Sequence, residues 1–109
     1  MPQRNVAVLV GSLRKASYNR KMALALAKLA PETLTLGIVE IGALALYNED
    51  LEGAEAPQAW LDFRAAVRVS DAVMFVTPEY NRSVPGGLKN AIDVGSRPYG
   101  QSVWSRKPC

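Results

Sequence analysis

The sequence contains no histidine and a single cysteine, Cys109. Without an imidazole the chain cannot build a Ser/His/Asp or Cys/His nucleophile system, or a zinc site with histidine ligands. A lone cysteine also excludes an internal disulfide, a Cys-x-x-Cys redox pair and a thiolate metal cluster, and it suits a reducing compartment. We assign no chemistry to Cys109, since no activating partner is visible beside it.

Dense basic runs and long apolar runs are absent as well. The 13 basic and 10 acidic residues give a net charge of +3 and are scattered along the 109 residues. A nucleic-acid arm needs a concentrated basic run, so a small anionic ligand fits this charge better. The apolar stretch near the amino terminus is too short for a signal sequence or a membrane span. We therefore expect a cytoplasmic protein with no nucleic-acid and no membrane partner.

Three short apolar runs alternate with three helical patterns. Strands are predicted at residues 5–10, 34–41 and 72–77, and helices from residue 17 or 19 to 30, from Pro57 to near Asp71, and from about 87 to 94. The first helix places Met22, Leu26 and Leu29 on one face. The second buries Trp60, Phe63 and Val67. The first and third runs are apolar throughout, which predicts strands buried on both faces.

This alternation predicts an α/β fold with a parallel sheet and right-handed crossovers. Ligands of such sheets bind beyond the carboxyl ends of the strands, where the strand order reverses. The loops at residues 11–19 and 78–87 follow the first and third strands, so we expect the site between them.

The first loop carries donors that suit a phosphate dianion. Gly11 permits a tight turn, Ser12, Ser17 and Asn19 offer hydrogen bonds beside a helix N-terminus, and Arg14 adds a charge. The spacing matches neither a P-loop nor a G-x-G-x-x-G fingerprint, which disfavours a nucleoside triphosphate. The alternative is that the serines and asparagine only cap the helix and that Arg14 is solvated.

The second loop suits a flat heteroaromatic ring. Pro78 stiffens the exit from the strand, Tyr80 and Asn81 supply an aromatic face and an amide, and the glycines at 86 and 87 allow close approach of a ligand to the backbone. The alternative is an ordinary turn with Asn81 in a left-handed conformation and Pro85 opening the next helix.

Both loops resemble those of one enzyme family. Residues 10–19, VGSLRKASYN, look like the phosphate loop of the NAD(P)H-dependent FMN reductases, flavodoxin-like enzymes that include bacterial chromate and quinone reductases. Residues 77–81, TPEYN, with 83–93, SVPGGLKNAID, look like their isoalloxazine loop and helix. Arg82 stands where relatives often carry Tyr, and Val94-Gly95 where many carry Trp and a small residue.

The resemblance implies an FMN cofactor, with NADPH or NADH as the electron donor. It places the phosphate at Ser12, Arg14, Ser17 and Asn19, with Tyr18 in the same segment, and the ring at Pro78, Glu79, Tyr80, Asn81 and Ser83. It implies two-electron reduction of a small-molecule acceptor: a quinone, an azo compound, chromate or free flavin. The cofactor performs the chemistry, so no catalytic side chain and no metal are expected. The family also suggests a homodimer or homotetramer.

Family members are nearly twice as long and have a sheet of order 2-1-3-4-5. Residues 1–109 would then be the N-terminal part of one flavodoxin-like FMN-binding domain, with the order 2-1-3 present and strands four and five missing. The third strand would lie on an edge, so these residues alone should associate or pack loosely. Two alternatives to the reductase are an FMN electron carrier without nicotinamide turnover and an inactive remnant of a reductase. Such carriers are usually acidic, whereas this chain is basic.

Three further features complete the expectations. The acidic residues at 49, 50, 52 and 55 lack an EF-hand pattern and are expected to form a solvated loop rather than a cation site. Trp60 and Phe63 fit core packing. Trp104 could cover a flavin edge or pack beneath a loop.

Overall fold

The computed structural model describes residues 4–11, 18–53, 56–79, 81, 83–97 and 100–109. In chain order the elements are β1 (Arg4–Val10), α1 (Tyr18–Leu29), β2 (Leu34–Ile38), a 3-10 turn (Glu49–Leu51), α2 (Gln58–Arg68), β3 (Ala72–Val76) and α3 (Gly86–Gly95). The predicted alternation is confirmed. The main difference is at β2, which ends at Ile38 rather than at residue 41.

The three strands form one parallel sheet of order β2-β1-β3, as predicted. Val8 in the central strand lies opposite Ile38 on one side and Met74 on the other. Because all three strands run the same way, their carboxyl ends share one edge of the sheet. Both predicted ligand loops leave from that edge.

One face of the sheet is covered by α2 and α3. The predicted stripe of α2 is confirmed, with Trp60, Phe63 and Val67 each 3% exposed or less. They pack on Leu9 of β1, and full burial of such side chains stabilises the fold by about 1.5–3 kcal/mol each. The other members of this core from the sheet and α3 are Ala7, Val73, Leu88, Ala91 and Val94.

The opposite face of the sheet is covered by α1, a helix that the sequence predicts, but the face with Met22, Leu26 and Leu29 is not the one that is buried most. Met22 and Leu29 are 56% and 81% exposed, and Leu26 is half-buried. The buried residue is Ala23, which packs with Val8 and Val10 of β1. The inward face is therefore turned by about one residue, because a small side chain lets the helix axis approach the sheet more closely than methionine or leucine would.

The edge strand β3 is less buried than predicted. The last four residues of β1 are fully buried, whereas in β3 only Val73 is, and its other residues are half-buried. The physical reason is that β3 lies at the edge of the sheet, and that α1 is the one described helix that covers the face of the sheet opposite α2 and α3.

Residues 103–109 cover part of that edge. The N–H of Val73 donates to the carbonyl of Pro108 at 2.8 Å, and the Lys107 ammonium donates to the Ser70 carbonyl at 2.5 Å. Pairing at the edge removes part of the exposed backbone row that could recruit another chain. Association of residues 1–109 through β3 stays a prediction, which the molecular mass in solution tests.

Trp104 packs in the core beneath α3. Its indole N–H donates to the carbonyl of Ile92 at 2.9 Å, and its ring contacts Phe63 and Phe75. A Cβ added to Gly95 would lie 2.6 Å from the indole, so glycine is required for this contact. Trp104 therefore packs against the core at the C-terminal end of α3. No helix in the described ranges is long and apolar enough to cross a membrane.

Candidate functional site

The ends of β1 and β3 touch where the two predicted loops begin. The N–H of Gly11 donates to the carbonyl of Val76 at 2.8 Å. A Cβ at Gly11 would lie 2.6 Å from the Cβ of Thr77, closer than real Cβ atoms approach, and 3.1 Å from its Cα, which is a tight contact. Only glycine at position 11 therefore allows the two loops to leave the sheet side by side.

The predicted phosphate loop is described only at its two ends. Ser12, Arg14 and Ser17 lie outside the described residues. Tyr18 is 82% exposed and Asn19 is half-buried, and both stand in the first turn of α1. That turn carries no acidic side chain, and the Lys21 ammonium lies 5.5 Å from the centre of the Tyr18 ring. A helix N-terminus without carboxylates and with a nearby cation fits an anionic group.

The predicted ring loop begins at Thr77, whose hydroxyl donates to the carbonyl of Pro78 at 2.8 Å. Pro78 is half-buried, whereas Glu79 and Ser83 are exposed. Tyr80 and Arg82 lie outside the described residues. These positions bring a backbone turn, rather than a set of charged groups, to the carboxyl end of β3.

Asn81 has a φ of +50°, which is the left-handed conformation named above for an ordinary turn at this position. Asparagine adopts this conformation more readily than other residues with a Cβ. Its side chain is exposed and bonds to no described residue. The conformation fits both the ordinary turn and the ligand loop, and an amide that bonds to no described residue suits the ligand loop.

The loop leads directly into α3. Pro85 precedes the helix at φ −58° and ψ 150°, and no side chain caps the first turn. A Cβ added to Gly86 would meet nothing within 4 Å. The first N–H groups of α3 have no side-chain cap, so a ligand carbonyl could accept a hydrogen bond from them.

The side chain of Asn90 makes two hydrogen bonds that the sequence does not predict. Its Oδ1 accepts from the N–H of Tyr47 at 2.8 Å, and its Nδ2 donates to the carbonyl of Ala45 at 3.0 Å. These two bonds hold the connection between β2 and α2 against α3. The available signal was a polar residue on the face of α3 that Leu88, Ala91 and Val94 make apolar.

The acidic connection is not fully solvated, which corrects a second expectation. Glu52 pairs with Arg64 at 2.6 Å, with side-chain exposures of 17% and 6%. The Arg64 Nε also donates to the carbonyl of Val94 at 2.8 Å. Glu49 and Asp50 are exposed, as expected. In the described part of the chain no three acidic, Cys or His side chains cluster to hold a metal ion.

The ring of Tyr47, in this connection, stacks on the ring of Trp60, in α2, with ring centres 5.3 Å apart. Burial, followed by the negative charge of Glu52, raises the pKa of the Tyr47 phenol. The phenol therefore stays neutral near pH 7 and acts here as a packing group rather than as a base.

The described residues fit a phosphorylated flavin in their chemistry. The edge brings together a helix N-terminus free of carboxylates, the Asn81 turn, whose amide bonds to no described residue, and backbone N–H donors at the start of α3 that no side chain caps. The phosphate needs the first of these and the polar edge of a flat ring can use the other two.

Comparison with known proteins agrees with this chemistry. A "Quinone reductase" of Pseudomonas putida is 71% identical over 104 residues, which are 95% of this chain and 56% of that protein. A "2-hydroxy-1,4-benzoquinone reductase" of Burkholderia sp is 50% identical over 103 residues, 94% of this chain and 56% of that protein. The chain thus spans about half the length of the curated relatives it matches.

A solved structure shows the same fold. The flavoenzyme NAD(P)H:(acceptor) oxidoreductase FerB of Paracoccus denitrificans superposes with a TM-score of 0.91 and is 51% identical, covering 96% of this chain and 57% of its own. The flavodoxin-like prediction is confirmed for the three strands present. The sequence profile of the NADPH-dependent FMN reductases matches residues 4–109, and the chain therefore belongs to that family.

Proposed function

We propose that this chain carries the FMN-binding part of an NAD(P)H-dependent oxidoreductase that reduces quinones by two-electron transfer. The observation that carries the proposal is the contact between Gly11 and Thr77, which makes the two loops leave the sheet side by side. One loop suits a phosphate and the other a ring, and together they suit a molecule that contains both.

The phosphate is assigned to the first loop, where a guanidinium and hydroxyl groups are the donors that a dianion prefers. The ring is assigned to the second loop, where Asn81 supplies an amide and a left-handed turn. The residues that would hold FMN are Ser12, Arg14, Ser17, Tyr18 and Asn19 for the phosphate end, and Pro78, Glu79, Tyr80, Asn81 and Ser83 for the ring.

FMN, when bound, accepts a hydride from a nicotinamide and passes two electrons to an acceptor. The chain's own residues bind and orient it. Gly11 permits the approach of the loops, Asn81 holds the turn, and the uncapped first turn of α3 offers N–H donors. No protein acid or base is required, in agreement with a sequence that has no histidine.

Quinones are the acceptors best supported, because the relatives at 71% and 50% identity are named for quinone substrates. Azo compounds, chromate and free flavin are a wider acceptor set that we propose from the family resemblance alone. A homodimer or homotetramer in the cytoplasm completes the proposal, and the single cysteine agrees with a reducing compartment.

The test is NADPH and NADH oxidation by the FMN-loaded protein, followed at 340 nm with and without 1,4-benzoquinone. We expect quinone-dependent oxidation of at least one nicotinamide. Bound FMN that no nicotinamide reduces would instead identify an electron carrier. A folded protein that binds no flavin would contradict the proposal and favour an inactive remnant.

A further inference from the structure

Asn90 is a buried polar residue on an otherwise apolar helix face. It is 8% exposed, while Leu88, Ala91 and Val94 beside it are 1% exposed or less. Burying an amide in such surroundings costs free energy unless both of its ends are hydrogen-bonded. Both ends are bonded here, and both bonds go to the connection at residues 45–47 rather than to α3 itself.

The same connection is tied to α2. The carbonyl of Ala45 accepts from the indole N–H of Trp60 at 3.1 Å as well as from Asn90. The ring of Tyr47 stacks on Trp60. Residues 45–47 therefore form a bridge between α2 and α3, with Asn90 as the attachment on the α3 side.

The two halves of α3 are held differently. In the C-terminal half, the carbonyls of Ile92, Val94 and Gly95 accept bonds from Trp104, Arg64 and Val103. In the N-terminal half, the described hydrogen bonds to distant elements are those of Asn90. This half begins at Gly86, immediately after the ring loop, and has no side-chain cap.

Packing alone does not require an amide at this position, because leucine has the same branching and would bury no polar side-chain atom. The amide is required by the connection, since leucine would leave the Tyr47 N–H without this acceptor. What the amide adds is direction, since its two bonds are satisfied in one register of α3 against residues 45–47. A shift of the helix along its axis would leave buried polar atoms unpaired.

We propose that Asn90 is a positioning residue for the flavin ring: it fixes the N-terminal half of α3 against residues 45–47, and through α3 it fixes the ring loop at residues 78–83. The inference rests on the proposed function, in which that loop holds the ring. Coupling between two sites is reciprocal, so a bound flavin must in turn stabilise the connection.

The experiment compares Asn90→Ala with Lys89→Ala in the purified protein. Lys89 is the neighbouring exposed residue, and its ion pair with Asp93 stays within α3. Affinities for FMN and riboflavin are measured by flavin fluorescence. Hydrogen exchange of the backbone amides is measured in the intact protein with and without FMN, and is followed in the peptide that covers residues 42–51.

We expect FMN to slow exchange at residues 42–51 in the wild type and in Lys89→Ala. In Asn90→Ala this effect should be lost, and the affinities for FMN and riboflavin should fall by the same factor of about five or more. An equal loss marks an effect on the ring, which both ligands share. A residue with only a structural role would lower the unfolding temperature without abolishing the exchange response.

Asn90→Asp is the second variant, chosen in case the alanine variant does not fold. It keeps the acceptor for the Tyr47 N–H but sets a carboxylate oxygen, in place of the donor, against the Ala45 carbonyl, so we expect the affinity for both flavins to fall. Unchanged flavin affinity in either folded variant, or no effect of FMN on exchange in the wild type, would overturn the inference and leave the proposed function standing. A wild-type protein that binds no flavin would refute the proposed function itself.

Discussion

Replacing Gly11 by alanine tests the junction between β1 and β3. The added methyl carbon would lie 2.6 Å from the Cβ of Thr77 and 3.1 Å from its Cα. The backbone fixes the position of the Thr77 Cβ, so a side-chain rotation of Thr77 cannot relieve the contact at 2.6 Å. The ends of the two strands must separate, and the Gly11 to Val76 hydrogen bond must stretch.

The expected cost follows from this geometry. Forcing one extra carbon into a packed site costs about 1–3 kcal/mol. Gly37 offers a matched control, because it is also a glycine of the sheet region and a Cβ there meets nothing within 4 Å. In a strand interior, alanine is favoured over glycine by about 0.5–1 kcal/mol. The two alanine variants should therefore change stability in opposite directions.

The assay is thermal unfolding of both variants with and without FMN, together with bound flavin per chain. Gly11→Ala should unfold at a lower temperature and hold less flavin, whereas Gly37→Ala should match or exceed the wild type in both. Combining Gly11→Ala with Thr77→Gly removes the clashing Cβ and should recover part of the loss. If Gly11→Ala were as stable and as flavin-loaded as Gly37→Ala, the contact would not be what brings the loops together.

Three other variants test the site and its surroundings. In the full-length protein, Arg14→Ala should weaken FMN binding by roughly tenfold to a hundredfold and leave riboflavin binding nearly unchanged, because a charged hydrogen bond is worth about 1.5–3 kcal/mol; equal losses in a fluorescence titration would show that Arg14 does not bind the phosphate. Asn81→Val should lower flavin content with the fold intact, since a β-branched residue at positive φ costs about 1–3 kcal/mol, while Asn81→Gly should keep the turn; full occupancy in the valine variant would remove this loop from the ring site. Glu52→Ala leaves the Arg64 guanidinium buried without its carboxylate. A cavity of about 220 Å³ beside the pair admits water, so we expect a loss of about 1–3 kcal/mol in urea unfolding, against almost none for the exposed Glu49→Ala.

Much of the fold follows from local patterns in the sequence. Short apolar runs separated by helical patterns predict a parallel α/β sheet, because parallel strands need a crossover. Trp60, Phe63 and Val67 recur at helical spacing, and this apolar stripe predicts the face of α2 that packs against the sheet. The left-handed conformation of Asn81 is also predictable from the residue type, since few other residues with a Cβ tolerate it.

The contacts that sequence analysis missed join residues far apart in the chain. Asn90 bonds to Tyr47 across 43 residues and to Ala45 across 45, and Arg64 reaches Val94 across 30. Local periodicity carries no information about such pairs. A polar residue among apolar neighbours indicates only that some partner must exist, because an unpaired buried amide would cost too much. Which partner it finds is decided by how α2 and α3 pack on the sheet.

The inward face of α1 shows why large apolar residues alone do not identify the buried side of a helix. Met22 and Leu29 have the spacing of a core stripe, yet the sheet contacts Ala23, which is 1% exposed. An alanine at the closest point lets the helix axis approach the strands, and this covers Val8 and Val10 of the central strand. Val76 packs against this cluster from the edge strand β3 and stays half-buried. The pattern shows which side chains are apolar enough to be buried, and the distance between helix and sheet selects the ones that are.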